Sequence, residues 1–397
     1  MQSNALSTFV RTLGCLMLLA PAVVMAEGFP KFRHQIIDPN CGNVCYAVTL
    51  ADVDGDGRQD IVAATESRVL WYQAPDWKKR VIIENQTERD NVCIAALDID
   101  GDGKIDFALG AGWTKVGTIQ WLSRNSSLDD KWNVHMIGEE RWLHRMRFAN
   151  VLGNKRPQLV ISPLNKTVGA GVRLTALEIP AHPKIDRWPR TVLDASLNRM
   201  HNHWHFKPKG SSSIKTLTAS QEGIHLISKT DTGWQKTRYS AGMPGKSASQ
   251  MGAGEIKSTW LPSGMMMIAT IEPMHGTSLV VYLQSKEDPE KFERRVLDDT
   301  FRRGHALWLA DVDGDNMDEI IVGHSDTGAG ENWKRGVYVF DAQDASGTKW
   351  VKHVIDEGGV AVEDAVAGDL TGDGRIDIVA GGRYTHNIKL YVNLGSE

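Results

Sequence analysis

The sequence predicts an all-β fold, a seven-bladed β-propeller, and two repeating patterns support this prediction. Four segments share an acidic, glycine-rich pattern: DVDGDGRQDIV (52–62), DIDGDGKIDFA (98–108), DVDGDNMDEII (311–321) and DLTGDGRIDIV (369–379). An aromatic residue also recurs at intervals of 45 to 58 residues, at Phe32, Trp77, Trp132, Trp188, Trp234, Phe292 and Trp350. Strand-like segments such as WKKRVII and FERRVLD follow most copies. Seven units of this length, each with room for about four short strands, are typical of a propeller.

The acidic segments are predicted to be compact calcium loops that join two strands of a blade. An EF-hand would need a bidentate glutamate at loop position 12, but the first copy has Ala63 there, and strand-like residues follow every loop. Carboxylates at positions 1, 3, 5 and 9 favour Ca²⁺ as a structural ion. The predicted ligands are Asp52, Asp54, Asp56, Asp60, Asp98, Asp100, Asp102, Asp106, Asp311, Asp313, Asp315, Glu319, Asp369, Asp373 and Asp377.

The N-terminal segment is predicted to be a cleaved signal peptide comprising residues 1–26. Arg11 precedes the apolar run LGCLMLLAPAVV (13–24), and the small residue Ala26 ends the segment. Residues 27–397 would then form the propeller, in a secreted or periplasmic protein. We expect FRHQIID, the first strand after this segment, to complete the last blade and close the ring.

Composition excludes several classes of partner. The chain has a formal net charge of −4 and no like-charge run suited to nucleic acid or to a membrane surface. No segment after the signal peptide is long and apolar enough to span a bilayer. Cys41, Cys45 and Cys93 remain after cleavage, and a bridge from Cys45 to either Cys41 or Cys93 is compatible with an oxidising compartment.

Eight of the thirteen histidines are predicted to face the central channel or its mouth. In each blade the innermost strand runs into the loop and the second strand runs out of it. The start of the first strand and the end of the second therefore share the face opposite the loops. Six residues before the loop lie His144, His305 and Glu363, and His203 lies near the equivalent place in RMHNHWHF (199–206). The eight histidines are His144, His201, His203, His205, His275, His305, His324 and His386.

Strand alternation makes two further predictions about these side chains. His201, His203 and His205 would share one face of their strand, since they stand at alternate positions. Arg145 and Arg147 would point to the opposite face from His144.

Local segments resemble a known family. The acidic loops resemble FG-GAP/VCBS repeats over essentially all of residues 32–394. WLHRMRFANVLGNKRPQLVISPL (142–164), IEPMHGTSLVVY (271–282), RRGHALWLADVDGDNMDEIIVGH (302–324) and GRYTHNIKLYVN (382–393) resemble the propeller domain of aldos-2-ulose dehydratase. This resemblance implies a carbon–oxygen lyase that dehydrates a small ketosugar such as 1,5-anhydrofructose or a related sugar derivative.

The residues at the channel mouth suit such an elimination. It requires a base, an acid and a group that stabilises the developing enolate, and histidine can act as acid or base near neutral pH. Zn²⁺ or another divalent metal held by the histidines could stabilise the enolate, although no HxxxH or CxxC motif supports it. The predicted catalytic residues are His144, Arg145, His203, Glu272, His275, His305 and His386. The alternative is a non-enzymatic carbohydrate-binding or adhesion propeller with a hydrogen-bonded polar channel.

Overall fold

The computed structural model describes residues 28–247, 249–327 and 334–396, and these residues form 28 strands in seven four-stranded antiparallel sheets. The predicted seven-bladed β-propeller is confirmed. The predicted signal peptide lies outside the described residues. Within the described part of the chain there is no helix with the length and apolarity needed to cross a membrane.

Each sheet is one blade, and its strands follow one another from the channel outward. The innermost strands are β2 (Cys45–Ala51), β6 (Cys93–Leu97), β10 (Leu143–Ala149), β14 (Met200–Phe206), β18 (Ile256–Trp260), β22 (Gly304–Ala310) and β26 (Val362–Gly368). The second strands are β3 (Asp60–Thr65), β7 (Asp106–Ala111), β11 (Gln158–Pro163), β15 (Lys215–Ser220), β19 (Met266–Glu272), β23 (Glu319–His324) and β27 (Asp377–Gly382). The third strands are β4 (Arg68–Gln73), β8 (Thr118–Ser123), β12 (Leu174–Glu178), β16 (Gly223–Thr230), β20 (Ser278–Gln284), β24 (Gly336–Ala342) and β28 (Ile388–Asn393). The outer strands are β5 (Lys78–Glu84), β9 (Asn133–Glu139), β13 (Arg190–Asp194), β17 (Gly233–Ser240), β21 (Phe292–Asp298), β25 (Trp350–Glu357) and β1 (Phe32–Asp38).

The N-terminal strand closes the ring. β1 pairs with β28, with Phe32 opposite Asn393, so the first strand is the outer strand of the seventh blade. Consecutive innermost strands contact one another, and β26 contacts β2. FRHQIID therefore has the predicted position.

The hydrophobic core lies between neighbouring blades. Second strands such as β3 and β11 are buried along their whole length because both faces are covered by adjacent blades, whereas an outer strand such as β9 has only partly buried and exposed residues. Close approach between blades requires glycine at two equivalent positions. A Cβ on Gly323 would lie 2.6 Å from Val362, and one on Gly381 would lie 2.5 Å from Cys45 Sγ. Innermost strands of successive blades can therefore pack tightly around the channel.

The acidic loops connect innermost and second strands, as predicted. Ala51 pairs with Asp60 across the first loop, and Asp52 accepts hydrogen bonds from the amides of Gly55 and Gly57. Three loops bring carboxylate oxygens within 4.8 Å of one another, in the groups Asp52/Asp54/Asp56, Asp98/Asp100/Asp106 and Asp311/Asp313/Asp315. Burial raises the pKa of Asp106 to about 7 and that of Glu319 to about 9. A bound cation or a proton is therefore needed to stabilise these buried carboxyls. Calcium itself stays a prediction.

Candidate functional site

In five of the seven blades, a β-bulge near the start of the innermost strand turns one side chain toward the channel mouth. In β10 the pairing shifts between Leu143 and Arg145, so His144 is the extra residue. The same shift occurs in four other innermost strands, where the extra residues are Tyr46, His201, His305 and Glu363. A bulge inserts one residue and changes which face the neighbouring side chains occupy. Side chains of different blades are thereby brought together at one end of the channel.

Four histidines form a cluster at this end of the channel. The residues are His144, His201, His275 and His305, and one ring nitrogen of each lies within 4.8 Å of those of the others. His275 lies on the turn between β19 and β20, and its Nε2 is 2.7 Å from Nε2 of His201. The ring centroids of His275 and His305 are 4.6 Å apart. We call these four residues the histidine cluster.

Hydrogen bonds at Nδ1 orient two of the four imidazoles, and a carboxylate lies beside Nδ1 of a third. Nδ1 of His144 donates to the carbonyl oxygen of His201 at 3.0 Å, and Nδ1 of His305 donates to the carbonyl oxygen of Glu363. Nδ1 of His201 lies 3.1 Å from Oε1 of Glu255. A proton held on Nδ1 leaves the lone pair on Nε2, the tautomer that metal-binding histidines adopt.

Glu255 is the buried carboxylate that supports the cluster. Its Oε1 also accepts a hydrogen bond of 2.7 Å from Arg145 Nη2, and its Oε2 accepts one from Asn202 Nδ2. Burial alone would raise the pKa of Glu255, but Arg145 and His201 hold it well below its ordinary value. Glu255 is therefore ionised and offsets the charge of Arg145, whose Nη1 lies 3.5 Å from His144 Nε2.

The imidazoles of the cluster are neutral at neutral pH. Burial, together with the charge of Arg145 and the neighbouring imidazoles, lowers the pKa of His144 and His305 well below the ordinary histidine value. Burial and the adjacent imidazoles have the same effect on the pKa of His275. Neutral nitrogen donors converging on one point fit Zn²⁺ or another transition metal and do not fit Ca²⁺, which prefers oxygen. The donor set therefore fits the metal expected from the sequence.

Glu363 and two arginines lie beside the cluster. Glu363 is only 3% exposed, and its Oε1 accepts from Arg383 and lies 3.9 Å from Nε2 of His305. Its Oε2 is buried without a hydrogen-bond partner among the described residues. Burial raises the pKa of Glu363, against the opposing charges of Arg383 and Arg303. Nε of Arg303 is also buried and unpartnered within the described residues. Among the described residues, nothing else competes with a ligand for Glu363 Oε2 and Arg303 Nε.

The structure corrects the position predicted for His203. Its side chain is fully buried, and its Nδ1 hydrogen-bonds Ser162 Oγ at 2.8 Å. Its ring packs on that of His205, with centroids 5.1 Å apart. The bulge at His201 places that residue in the cluster and leaves His203 and His205 between blades, so the three histidines do not share one face. The same kind of bulge brings Arg145 and His144 together, which strict alternation did not predict.

Glu272 and His386 also lie outside the cluster. Glu272 is fully buried within its own blade, where Tyr282 Oη and Arg294 donate hydrogen bonds to its carboxylate. His386 is in a left-handed turn, with φ of 59°, and its Nδ1 donates to the carbonyl oxygen of Asn43. Both predictions relied on the ends of second strands, and these two side chains turn away from the channel mouth. Of the predicted catalytic residues, the structure brings together His144, Arg145, His275 and His305.

A position count along the innermost strands identifies His201 and Glu255 as further site residues. The fifth residue before the end of the innermost strand is His144 in β10 and His305 in β22. The same count gives His201 in β14 and Glu255 before β18. Blades four and five have no acidic loop to mark the end of this strand, so the count had no reference point there.

Comparison with known proteins agrees with the fold and with the resemblance. A family model described as the β-propeller domain of aldos-2-ulose dehydratase matches residues 116–285, and one for the FG-GAP-like repeat matches residues 52–109. Aldos-2-ulose dehydratase of Phanerodontia chrysosporium is 21% identical over 269 residues, which cover 60% of this chain and 29% of that protein. The chain thus matches less than a third of that relative's length. It is a seven-bladed propeller that is similar in part to FG-GAP-like repeats and to the propeller domain of aldos-2-ulose dehydratase.

Solved structures share the fold at low sequence identity. An Agrocybe aegerita lectin that recognises non-reducing terminal N-acetylglucosamine has a TM-score of 0.52 at 16% identity, and the match covers 88% of this chain and 94% of the lectin. The BBS1N chain in complex with ARL6DN has a TM-score of 0.55 at 11% identity, covering 93% of this chain and 98% of that chain. At these identities the similarity shows the fold alone.

Proposed function

We propose that the protein is a metal-dependent carbon–oxygen lyase that eliminates water from a small ketosugar, such as 1,5-anhydrofructose, or from a related sugar derivative. The observation that carries the proposal is the histidine cluster, in which Nδ1 of His144 and of His305 bonds a carbonyl oxygen and Nδ1 of His201 lies 3.1 Å from Glu255. Similarity to a sugar dehydratase supports the class of reaction.

Elimination next to a ketone needs three contributions. A base removes the proton on the carbon next to the carbonyl, an acid protonates the departing hydroxyl, and a positive group stabilises the enolate oxygen. A divalent metal held by His144, His201, His275 and His305 would supply the last contribution by polarising the carbonyl oxygen. The other two must come from side chains that surround the cluster.

Glu363 is the best placed group for proton transfer. One of its oxygens is bound by Arg383, which fixes the carboxyl, and the other has no partner among the described residues. That free oxygen can take the proton from carbon and return it to the leaving hydroxyl. Arg303 can donate its unpartnered Nε–H to a substrate oxygen. Glu255 supports the cluster through its contacts with His201 and Arg145 and does not need to contact substrate.

The experiment is turnover of 1,5-anhydrofructose and 3-ketoglycosides, followed by the ultraviolet absorbance of the enone product. Glu363→Gln keeps the size and the Arg383 contact, and it should lower turnover by roughly 10²-fold or more because the proton acceptor is lost. His135→Ala in outer strand β9 is the matched control and should leave turnover unchanged. Absence of an enone with every metal and substrate would overturn the proposal. Sugar binding without turnover would then favour the non-enzymatic carbohydrate-binding propeller.

Two further parts of the proposal concern calcium in the acidic loops and the location of the protein. Ca²⁺ in the acidic loops would hold innermost and second strands together, as the oxygen donors there favour. A secreted or periplasmic location is supported by the apolar run at residues 13–24.

A further inference from the structure

A cavity lies in the channel, on the loop side of the histidine cluster. Its volume is about 350 Å³, which is enough for a monosaccharide-sized ligand. Trp204 and Trp308 line it, and each is the third residue from the loop end of its strand, whereas His201 and His305 lie at the opposite end. The Glu255–Arg145 ion pair separates this space from the cluster. We call it the channel chamber.

Lys257 projects into the chamber without an ionic partner. Its side chain is 3% exposed, and Nζ lies 4.6 Å from the ring centroid of Trp204 and 5.3 Å from that of Trp308. Among the described residues no carboxylate lies within ion-pair distance of Nζ. Lys389 is the contrasting case, since it is also buried but pairs with Asp356. A buried lysine between two indole rings is unusual unless its amine has a function.

The surroundings of Lys257 favour the neutral amine. Burial, followed by the charge of Arg147, lowers the pKa of Lys257 to about 7, against the opposing charges of Glu255 and Asp364. A desolvated lysine beside a second cation is the arrangement that makes an amine nucleophilic. Its lone pair is then available inside a cavity lined by aromatic rings.

Asp364 supplies a proton donor in the same chamber. Its carboxyl is partly buried and receives hydrogen bonds from the amides of Val48 and Ala365. Burial raises the pKa of Asp364, against the charge of Arg145. A carboxyl that lines the same cavity as the amine can pass a proton to a hydroxyl that leaves as water.

We propose that Lys257 forms a reversible imine with the carbonyl group of a small sugar or sugar-derived ketone bound in the channel chamber. The Nζ lone pair attacks the carbonyl carbon, and the carbonyl oxygen takes up a proton to give a carbinolamine. Loss of that hydroxyl as water, with a proton from Asp364, and loss of the remaining Nζ proton give the neutral imine. The carbon skeleton would pack against Trp204 and Trp308. This activity is separate from the lyase reaction and does not need the histidine cluster.

The test is reductive trapping of the imine. The intact protein is incubated with dihydroxyacetone and cyanoborohydride at pH 7.5, and the adduct is located by peptide mass mapping. At that pH a lysine of pKa about 7 is mostly neutral, whereas about one exposed lysine in a thousand is. We therefore expect Lys257 to be labelled at least about 10²-fold faster than surface lysines, and Lys257→Arg to remove this adduct.

Lys389→Arg is the matched control and should leave the adduct unchanged. Labelling that is spread over surface lysines, with Lys257 no more reactive than Lys389, would overturn the proposal. The wild-type peptide map decides this even if Lys257→Arg folds poorly. Because the adduct is read by mass and not by turnover, failure of the lyase assay would leave this result standing, and the reverse also holds.

Discussion

Replacing His201 and His203 separately by alanine gives the sharpest test of the candidate site. Both side chains are fully buried and lie two residues apart on β14, so their removal should leave comparable space. Only His201 is in the histidine cluster. His203 instead bonds Ser162, so its loss should cost about 1–3 kcal/mol of stability through an unsatisfied hydroxyl. The two variants thus separate metal binding from burial.

The expected magnitude follows from the position of His201. Removing a group that only supports a metal-binding histidine costs 10–100-fold in metal affinity. His201 places Nε2 2.7 Å from Nε2 of His275, inside the cluster, so its loss should cost at least about 100-fold. This corresponds to about 2.7 kcal/mol of binding free energy. His203→Ala should change metal affinity less than about threefold, well below one factor of ten.

The assay is equilibrium dialysis against Zn²⁺, with bound metal measured by mass spectrometry, and Co²⁺ absorbance reports the coordination. His201→Ala should lose the metal and its Co²⁺ spectrum, while His203→Ala keeps both. Full metal binding by His201→Ala, or equal losses from both variants, would refute the assignment of the cluster.

Three other predictions concern the rest of the propeller. Removing calcium with a chelator should lower the melting temperature, because an ion that binds only the folded state stabilises that state by mass action. An unchanged melting curve would mean that the acidic loops do not bind calcium. The pKa of His225 is lowered to about 4 by burial, so the folded state binds fewer protons than the unfolded state between pH 6.5 and 4. The stabilising contribution of neutral His225 is complete above about pH 6.5 and is lost as the pH falls, by up to about 1.4 kcal/mol per pH unit. Chemical denaturation of His225→Gln should therefore show a shallower dependence of the free energy of unfolding on pH in this range. Cys41 and Cys45 lie in the same core cluster, and the Cys41 thiol and burial raise the pKa of Cys45. Mild oxidation should therefore leave Cys93 as the one thiol titrated after denaturation, and three remaining thiols would exclude the bridge.

The repeats predicted the fold because they fix positions that every blade shares. An acidic loop marks the end of one strand and the start of the next, so Asp52 and Asp311 locate four strands without any tertiary information. Closure by FRHQIID followed from counting strands. His144 and His305 were found in the same way, because they lie at a fixed distance from recognisable loop positions.

Predictions from alternation were wrong because bulges are tertiary features. A strand without a bulge would have put His203 on the same face as His201, but the extra residue in β14 reverses the pattern beyond it. Glu272 looked suitable because it precedes His275, yet Tyr282 and Arg294 bind it within the blade. Nothing in the local sequence distinguishes Glu272, which these partners bind within the blade, from a carboxylate that faces the channel.

The position of the cluster would tie metal binding to the packing of four blades. Its four histidines come from the third to the sixth blade, and His144 and His305 are 161 positions apart in the sequence. No single blade offers more than one of them, so the unfolded chain has no local metal site comparable to a short chelating motif. Metal binding at the cluster would therefore favour the arrangement in which these blades are correctly packed. The same blades include the three that lack an acidic loop. In the third, fourth and fifth blades, the histidine cluster and Glu255 would then provide the cohesion that calcium loops are predicted to provide in the others.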